Sequence, residues 1–580
     1  MKPTTASGIT RRHDLDALRA FAMLLGIALH AVLSFTSEPW LVKDLYKNDL
    51  FGLLNAAIHG FRMPLFIMVS GYFTMMMYRR RGLISVLKQR FLRVFLPLML
   101  GLVTVMPAMG WVIDWSTKLV ARQDASRGPD SGPRSELVDA VRKGNQAEVE
   151  RLLTAGADPN QFDPEIGNVP LEWAALYGNV NVARVLVDHG AAVKKAGRGG
   201  FTPLHSAAFL GKPEVVELLI ERGADLQARG PDGSIPFDSS NAPWATTQGI
   251  VTFLKVPLTV SEQELQVARE QCRQLLIRHG GGKEGAAAAA TGPLAGLRNG
   301  YRDFLTSDRF QMSEKYRVFG GDTQQPFYWT LSDVFSHLWF LWFLCWLVVL
   351  FAIVAVLAQL VSLPAVPPWL ILSPAVWLWL VPLTMLPQLF MGLFGPSFGP
   401  DTSTSWLPQP HLLVYYAVFF AFGVLYYDAD DTEARLGRWY WLLIPIALVV
   451  LLPLGIATMV LGQTILSGLV QVCYAWSMSF GMIGLFNRFL KRENETLRYL
   501  SDSSYFLYLA HLPLVIALQA WMRVWELPAL FKFLLICVFT TVYLLFIYQT
   551  LVRYTWLGRL LNGPRVPRAA TTAPHPVAEA

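Results

Sequence analysis

Apolar residues in this chain are gathered into long runs, and the runs fall in two blocks around a polar middle. A helix needs about 20 predominantly apolar residues to cross a bilayer. Runs of that kind lie near 15–37, 52–78 and 91–114, and after the polar middle near 330–360, 366–390, 409–427, 438–460, 465–488, 503–522 and 528–552. The pattern therefore predicts an all-α, polytopic membrane protein of about ten transmembrane helices. The first run carries Asp16, Arg19 and His30 and lacks a small-residue cleavage site, so it reads as a span and not a cleaved signal. Near 361–369, Pro364, Pro367 and Pro368 predict either a short turn or a broken helix.

Charge tests the count independently, because short cytoplasmic loops collect Lys and Arg. With the N-terminus inside, the inner segments hold Arg11 and Arg12, then Arg79, Arg80, Arg81, Lys88 and Arg90, then Arg488, Lys491, Arg492 and Arg498, and last Arg553, Arg559, Arg565 and Arg568. On the other side, the loop near 391–408 has neither Lys nor Arg and the loop near 38–50 has only Lys43 and Lys47. Both termini are thus expected in the cytoplasm of a bacterial inner membrane protein. Three spans before the polar middle place it outside, in the periplasm.

Composition narrows the class further. At 580 residues the chain is 53% hydrophobic and 16% charged, against roughly 45–50% and about 25% for soluble proteins, which argues against an ordinary soluble enzyme. The net charge of +7 comes with few basic clusters, so no nucleic-acid partner is expected. Cys272, Cys345, Cys473 and Cys537 are far apart and show no metal spacing, so no metal site is expected.

Within 134–280 a motif recurs about every 33 residues. GN at 144–145 leads to LL at 152–153 and GAD at 156–158; GN at 178–179 leads to VLV at 185–187 and GAA at 190–192; Gly211 leads to ELLI at 217–220 and GAD at 223–225. TPLHSA at 202–207 matches the T-P-L-H-x-A signature, so the insert resembles ankyrin repeats, an α-solenoid of stacked helix pairs. CRQLLIRHG at 272–280 reads as a last unit after an interruption at 231–265. His205 within TPLH is expected to bond and pack between turns, not to catalyse. A small solenoid presents a binding surface, which makes a protein partner the functional expectation and an inert folded spacer the alternative. The stretch 281–329 reads as a low-complexity linker and membrane-edge segment, and 561–580 as a disordered tail. The membrane core then comprises 1–114 and 330–560.

Ionisable residues inside spans carry the chemical signal, since a charge facing lipid costs several kcal/mol. Arg19 and His30 are eleven residues apart on one face of the first span, about 16 Å along its axis, and Asp16 precedes Arg19 by three. HGFRMPLFIMVSGYF brings His59, Arg62 and Ser70 into the second span, with Gly71 permitting close packing. Arg90 and Arg93 stand one turn apart in QRFLRVFLP, where snorkelling to lipid phosphates is an equal alternative. HLWFL adds His337, and SDSSYFLYLAHLPL adds Tyr508 and His511. Polar groups from several helices predict a cavity, used for catalysis or for transport. A multi-span transporter, or a membrane-anchored interaction protein acting through the insert, therefore stand beside an enzyme.

These same segments, in this order, resemble the acyltransferase 3 family of integral membrane acyltransferases, and especially its glucan-modifying branch. The resemblance covers about 1–114 and 330–560; the ankyrin-like insert departs from the family pattern. It implies transfer of an acyl group, acetyl or succinyl in type, from acyl-CoA to a hydroxyl of a carbohydrate or glucan-like acceptor at the lipid membrane, with no permanently bound cofactor. By the resemblance His30 is the essential histidine and probable base, Arg19 its paired arginine held by Asp16, and Arg90 and Arg93 the donor pair. Arg62, His337, Tyr508 and His511 are further substrate-binding candidates. Ser70 as a nucleophile is a remote alternative.

Overall fold

The computed structural model describes residues 12–563 except 37–39, 47, 128–135, 164–165, 198, 231–233, 243, 282–292, 311–327, 362–365, 394–396 and 493. Most of the stretch 281–329, read as linker and membrane-edge segment, and almost all of the tail from 561 lie outside the described residues. Every regular element among the described residues is helical. The chain divides into two compact units: 1–120 with 329–391 and 397–580, and 121–328 with 392–396.

Among the described residues, eight helical runs are long and apolar enough to cross a membrane: His13–Phe35, Leu50–Gln123, Ser336–Val361, Pro410–Asp428, Tyr440–Val460, Thr464–Leu490, Glu495–Met522 and Ala529–Val552. The second and third expected spans share the run Leu50–Gln123, but the run is not straight. Gly82, at φ 76°, is non-helical within it. A straight helix would hold residues 74 and 90 about 24 Å apart, yet the Arg90 guanidinium donates to Thr74 Oγ1 at 2.6 Å. The chain therefore doubles back at Gly82, and two spans emerge from one run. The fifth expected span, 366–390, is broken into Pro368–Leu372 and Val376–Gln388. Neither piece alone reaches the ~20 residues a crossing needs.

Close helix contacts hold this bundle together. A Cβ on Gly71 would overlap the Phe420 carbonyl, and one on Gly423 would overlap the Met68 carbonyl, so these helices meet backbone to backbone through reciprocal glycines. Phe419 stacks on Trp476 with ring centroids 4.0 Å apart. On the same bundle, the stretch after the first span is tied down by an ion pair: Lys532 Nζ donates to both Asp44 oxygens, at 3.0 and 2.9 Å, and to the Arg523 carbonyl at 3.1 Å.

The second unit is a stack of helix pairs: Glu136–Arg142 with Gln146–Thr154, Pro170–Tyr177 with Val180–Asp188, and Pro203–Phe209 with Pro213–Glu221. Gly144, Gly178 and Gly211 make the turns at φ 66°, 75° and 59°, a left-handed conformation that explains the recurring glycine. His205 is structural. Its Nδ1 takes the Thr202 N–H at 3.2 Å and its Nε2 reaches the Ser234 carbonyl of the next unit at 3.2 Å. Asp238 repeats the first of these contacts, accepting from the Ile235 N–H at 3.2 Å. A fourth pair is thus present, Pro236–Ser239 with Glu262–Arg278, interrupted by the helix Trp244–Leu254. Buried Arg269 fastens it, donating to the carbonyls of Phe209 at 2.8 Å and Ala242 at 2.7 Å and to Thr247 Oγ1 at 2.9 Å.

Candidate active site

Four helices of the first unit bring imidazoles and a guanidinium to one place. His30 comes from the last turns of the first span. Arg62 follows from the second, His337 from the short turn Ser336–Leu338, and Tyr508 and His511 from the middle of Glu495–Met522. His30 Nδ1 lies 2.8 Å from the Gly26 carbonyl and 3.0 Å from His511 Nε2. His511 Nδ1 is 2.7 Å from the Tyr508 carbonyl. The His337 ring stands edge-on to His511, centroids 5.7 Å apart, and its Nε2 lies 3.2 Å from the Leu509 carbonyl. The Tyr508 hydroxyl donates to the His337 carbonyl.

Arg62 is the unusual member. It is only 7% exposed, and among the described residues no hydrogen bond or ion pair engages its guanidinium. It packs over Gly26, where an added Cβ would lie 2.5 Å from Nη1 and 3.8 Å from His511 Nε2. A glycine four residues before His30 is what lets the arginine approach. His337 Nδ1 and the Tyr416 hydroxyl are likewise buried with no hydrogen-bond partner among the described residues. A cation without a counter-ion, beside unfilled acceptors and donors, suits a ligand with negative or developing negative charge.

Trp40 and Gln519 frame the pocket and were not singled out from the sequence. The Trp40 ring lies 5.9 Å from that of His30, and its Nε1 donates to Gln519 Oε1 at 2.9 Å. Gln519 in turn donates to the His30 carbonyl at 2.9 Å. Only the fold pairs residues so far apart in sequence.

Arg19 and Asp16 do not join this pocket. Asp16 Oδ1 pairs with Arg19 Nη2 at 3.5 Å, and the Arg19 guanidinium lies 5.2 Å from the Phe73 ring centroid. Arg19 makes no contact with His30, as the spacing of about 16 Å along the helix implies. Arg19 and Arg93 instead lie within electrostatic reach of Arg90. Arg90 Nη2 donates to Thr74 Oγ1, while its Nε is buried without a partner among the described residues. The snorkelling alternative fits Arg90 poorly, since its head is turned onto the second span. Ser70 spends its hydroxyl on the Phe66 carbonyl at 2.9 Å, and no histidine is hydrogen-bonded to it. His59 belongs to the same helix as Arg62, and no residue of the described set forms a three-ligand metal cluster.

Comparison with known proteins agrees with this division into a membrane site and an insert. A family model described as an acyltransferase domain, acyltransferase 3, matches residues 12–133 and 296–549, more than half of the chain. An ankyrin-repeat model of three copies matches 137–229. Among curated proteins the chain is similar to Glucans biosynthesis protein C of Escherichia coli strains SMS-3-5 and K12 and of E. coli O1:K1 / APEC, 38% identical over 99 residues in each case. That stretch is 17% of this chain and 25% of each relative, so the chain spans about a quarter of the relatives it matches.

Proposed function

Because the chain belongs to the acyltransferase 3 family, we propose that it moves an acyl group of acetyl or succinyl type from acyl-CoA to a hydroxyl of a carbohydrate, glucan-like acceptor. It is a multi-pass membrane acyltransferase, and the finer reading rests on the two clusters above. His30 is the base. The acceptor oxygen attacks the thioester carbonyl carbon as His30 takes its proton; the C–S bond then breaks and the thiolate leaves with that proton. Arg62 stands ready to hold the oxyanion of the tetrahedral intermediate, because among the described residues no carboxylate neutralises it.

Arg19, Arg90 and Arg93 bind the donor. Guanidinium groups match phosphate oxygens with charge-assisted bonds, and Arg90 has unspent donors for the purpose. CoA carries phosphates at one end and its thioester at the other, on a long thin arm suited to the gap between the two clusters. No cofactor is held permanently in this scheme. Both termini lie in the cytoplasm and the insert in the periplasm, which requires the broken pair within 368–388 to cross together. The insert offers a surface for a protein partner there. Acceptance of the glucan is supported by the named relatives, which are glucans biosynthesis proteins.

The observation that carries the reading is the buried Arg62 beside His30 and His511, without a counter-ion among the described residues. The test is purified protein with isotopically labelled acetyl-CoA or succinyl-CoA and a periplasmic glucan fraction. Mass spectrometry should find labelled acyl esters on the glucan. CoA donors left intact, with the glucan unmodified, would overturn the proposal.

A further inference from the structure

His30 and His511 share one hydrogen bond, and the carbonyls around them decide which ring donates. His511 Nδ1 is 2.7 Å from the Tyr508 carbonyl. A carbonyl accepts only, so this nitrogen carries the proton, and in a neutral ring Nε2 is then a bare acceptor. His30 Nδ1 faces two acceptors, that Nε2 at 3.0 Å and the Gly26 carbonyl at 2.8 Å, and must itself be protonated. The opposite arrangement would set two bare ring nitrogens against two carbonyl oxygens in a buried site. Protonating His511 would instead add a second cation beside Arg62, with His337 and Tyr508 its other titratable neighbours and no carboxylate bonded to any of them.

Resting on the reading of His30 as base, we infer that His511 is a positioning residue that holds His30 in its Nδ1–H tautomer. The His30 lone pair is thereby left on Nε2. Among the described residues no hydrogen bond occupies that atom. When Nε2 takes the acceptor proton, Nδ1–H keeps its bonds to His511 and Gly26, so the ring stays aimed through the proton's return to the leaving thiolate. A carboxylate fills the corresponding role in the Ser-His-Asp arrangement; here a neutral imidazole does so, anchored on its own helix. This separates His511 from a substrate-binding role, because its two nitrogens are already engaged.

The test uses the full chain, histidine-labelled with 15N, in detergent micelles above the titration of its imidazoles. Two-bond proton–nitrogen correlation reads each tautomer, with the His30 signal assigned through the His30→Asn protein. Wild type should show His30 protonated on Nδ1, and His511→Leu, with only the Gly26 carbonyl left to hold that proton, should show a smaller Nδ1–H fraction. Thiol release from acetyl-CoA or succinyl-CoA with glucan should fall about 10²-fold in His511→Leu. His511→Gln, whose amide oxygen can accept where Nε2 did, should stay within about 10-fold of wild type by restoring that bond. A His30 proton on Nε2 in wild type, or His511→Leu with an unchanged His30 signal and rate, overturns the inference alone. If His30→Ala keeps the wild-type rate, the reading of His30 as base falls and this inference falls with it.

Discussion

Replacing Asp44 by Ala should destabilise the membrane unit through one stranded charge. Lys532 is wholly buried, and its ammonium spends three donors on the two Asp44 oxygens and the Arg523 carbonyl. Without Asp44 the buried ammonium loses the carboxylate that balances it, and breaking a buried pair from one side costs about 3–5 kcal/mol. At the roughly 2–4 °C per kcal/mol of mid-sized domains, that corresponds to a fall of roughly 6–20 °C in Tm. The assay is thermal unfolding of purified protein in detergent. The same stretch carries Trp40, which reaches the His30 pocket, so turnover should drop as well. Asp44→Leu combined with Lys532→Met removes both charges and should recover most of the loss, since replacing a buried pair by apolar residues is often close to neutral. Wild-type melting of Asp44→Ala, or a double variant no more stable than the single one, would refute the reasoning.

Gly26→Ala adds a Cβ 2.5 Å from Arg62 Nη1 and should displace the guanidinium while leaving the helix at least as stable. Turnover should fall on the order of 10²-fold, as misplacement by ~1 Å can cost, with Tm unchanged; full turnover would remove Arg62 from the mechanism. Arg90→Ala should raise the KM for acyl-CoA by roughly 10–100-fold, the worth of one or two charge-assisted bonds, with a smaller change in kcat. Unaltered donor KM would dissociate Arg90 from the donor. In the insert, burial pushes the Glu172 carboxyl up to about 8 from 4.5, with Ser206 only partly offsetting it. The folded insert then holds a proton that the unfolded chain has lost, so its stability is fully present below about pH 4.5 and declines as pH rises through 8, by at most ~1.4 kcal/mol per unit. Hydrogen-exchange protection factors in Pro170–Tyr177, corrected for the intrinsic pH dependence of amide exchange, should fall over that range and lose this dependence in Glu172→Gln; identical pH dependence in both would contradict the assignment.

The helices and the repeat were legible because periodicity acts locally. Runs of apolar residues set the spans, and the GN and TPLH signatures set the helix pairs. The reversal between the second and third spans was legible from the basic stretch 79–90, though not its place at Gly82; the break within 366–390 was less so, because several prolines decide whether a run is one helix or two. The fourth helix pair was half hidden, since Asp238 stands where TPLH has its histidine and the helix Trp244–Leu254 interrupts the unit. At the site, His30, Arg62, His337, Tyr508 and His511 could be named as ionisable or polar groups misplaced in apolar helices. Their partners could not. Gly26 matters through a missing side chain, Thr74 only because the chain folds back, and Gln519 because it lies almost five hundred residues from His30. Arg19 keeps the Asp16 partner its spacing implied, while its nearness to Arg90 depends on how the helices pack and not on sequence separation.

In the proposed reaction His30 takes the acceptor proton during acyl transfer from CoA. The most direct measurement is the initial rate of labelled acyl transfer to glucan by wild-type and His30→Ala protein, each reconstituted in proteoliposomes at equal, verified amounts. The variant should lose about 10²–10⁴-fold, the usual worth of a positioned general base. Equal rates from the two proteins would contradict it.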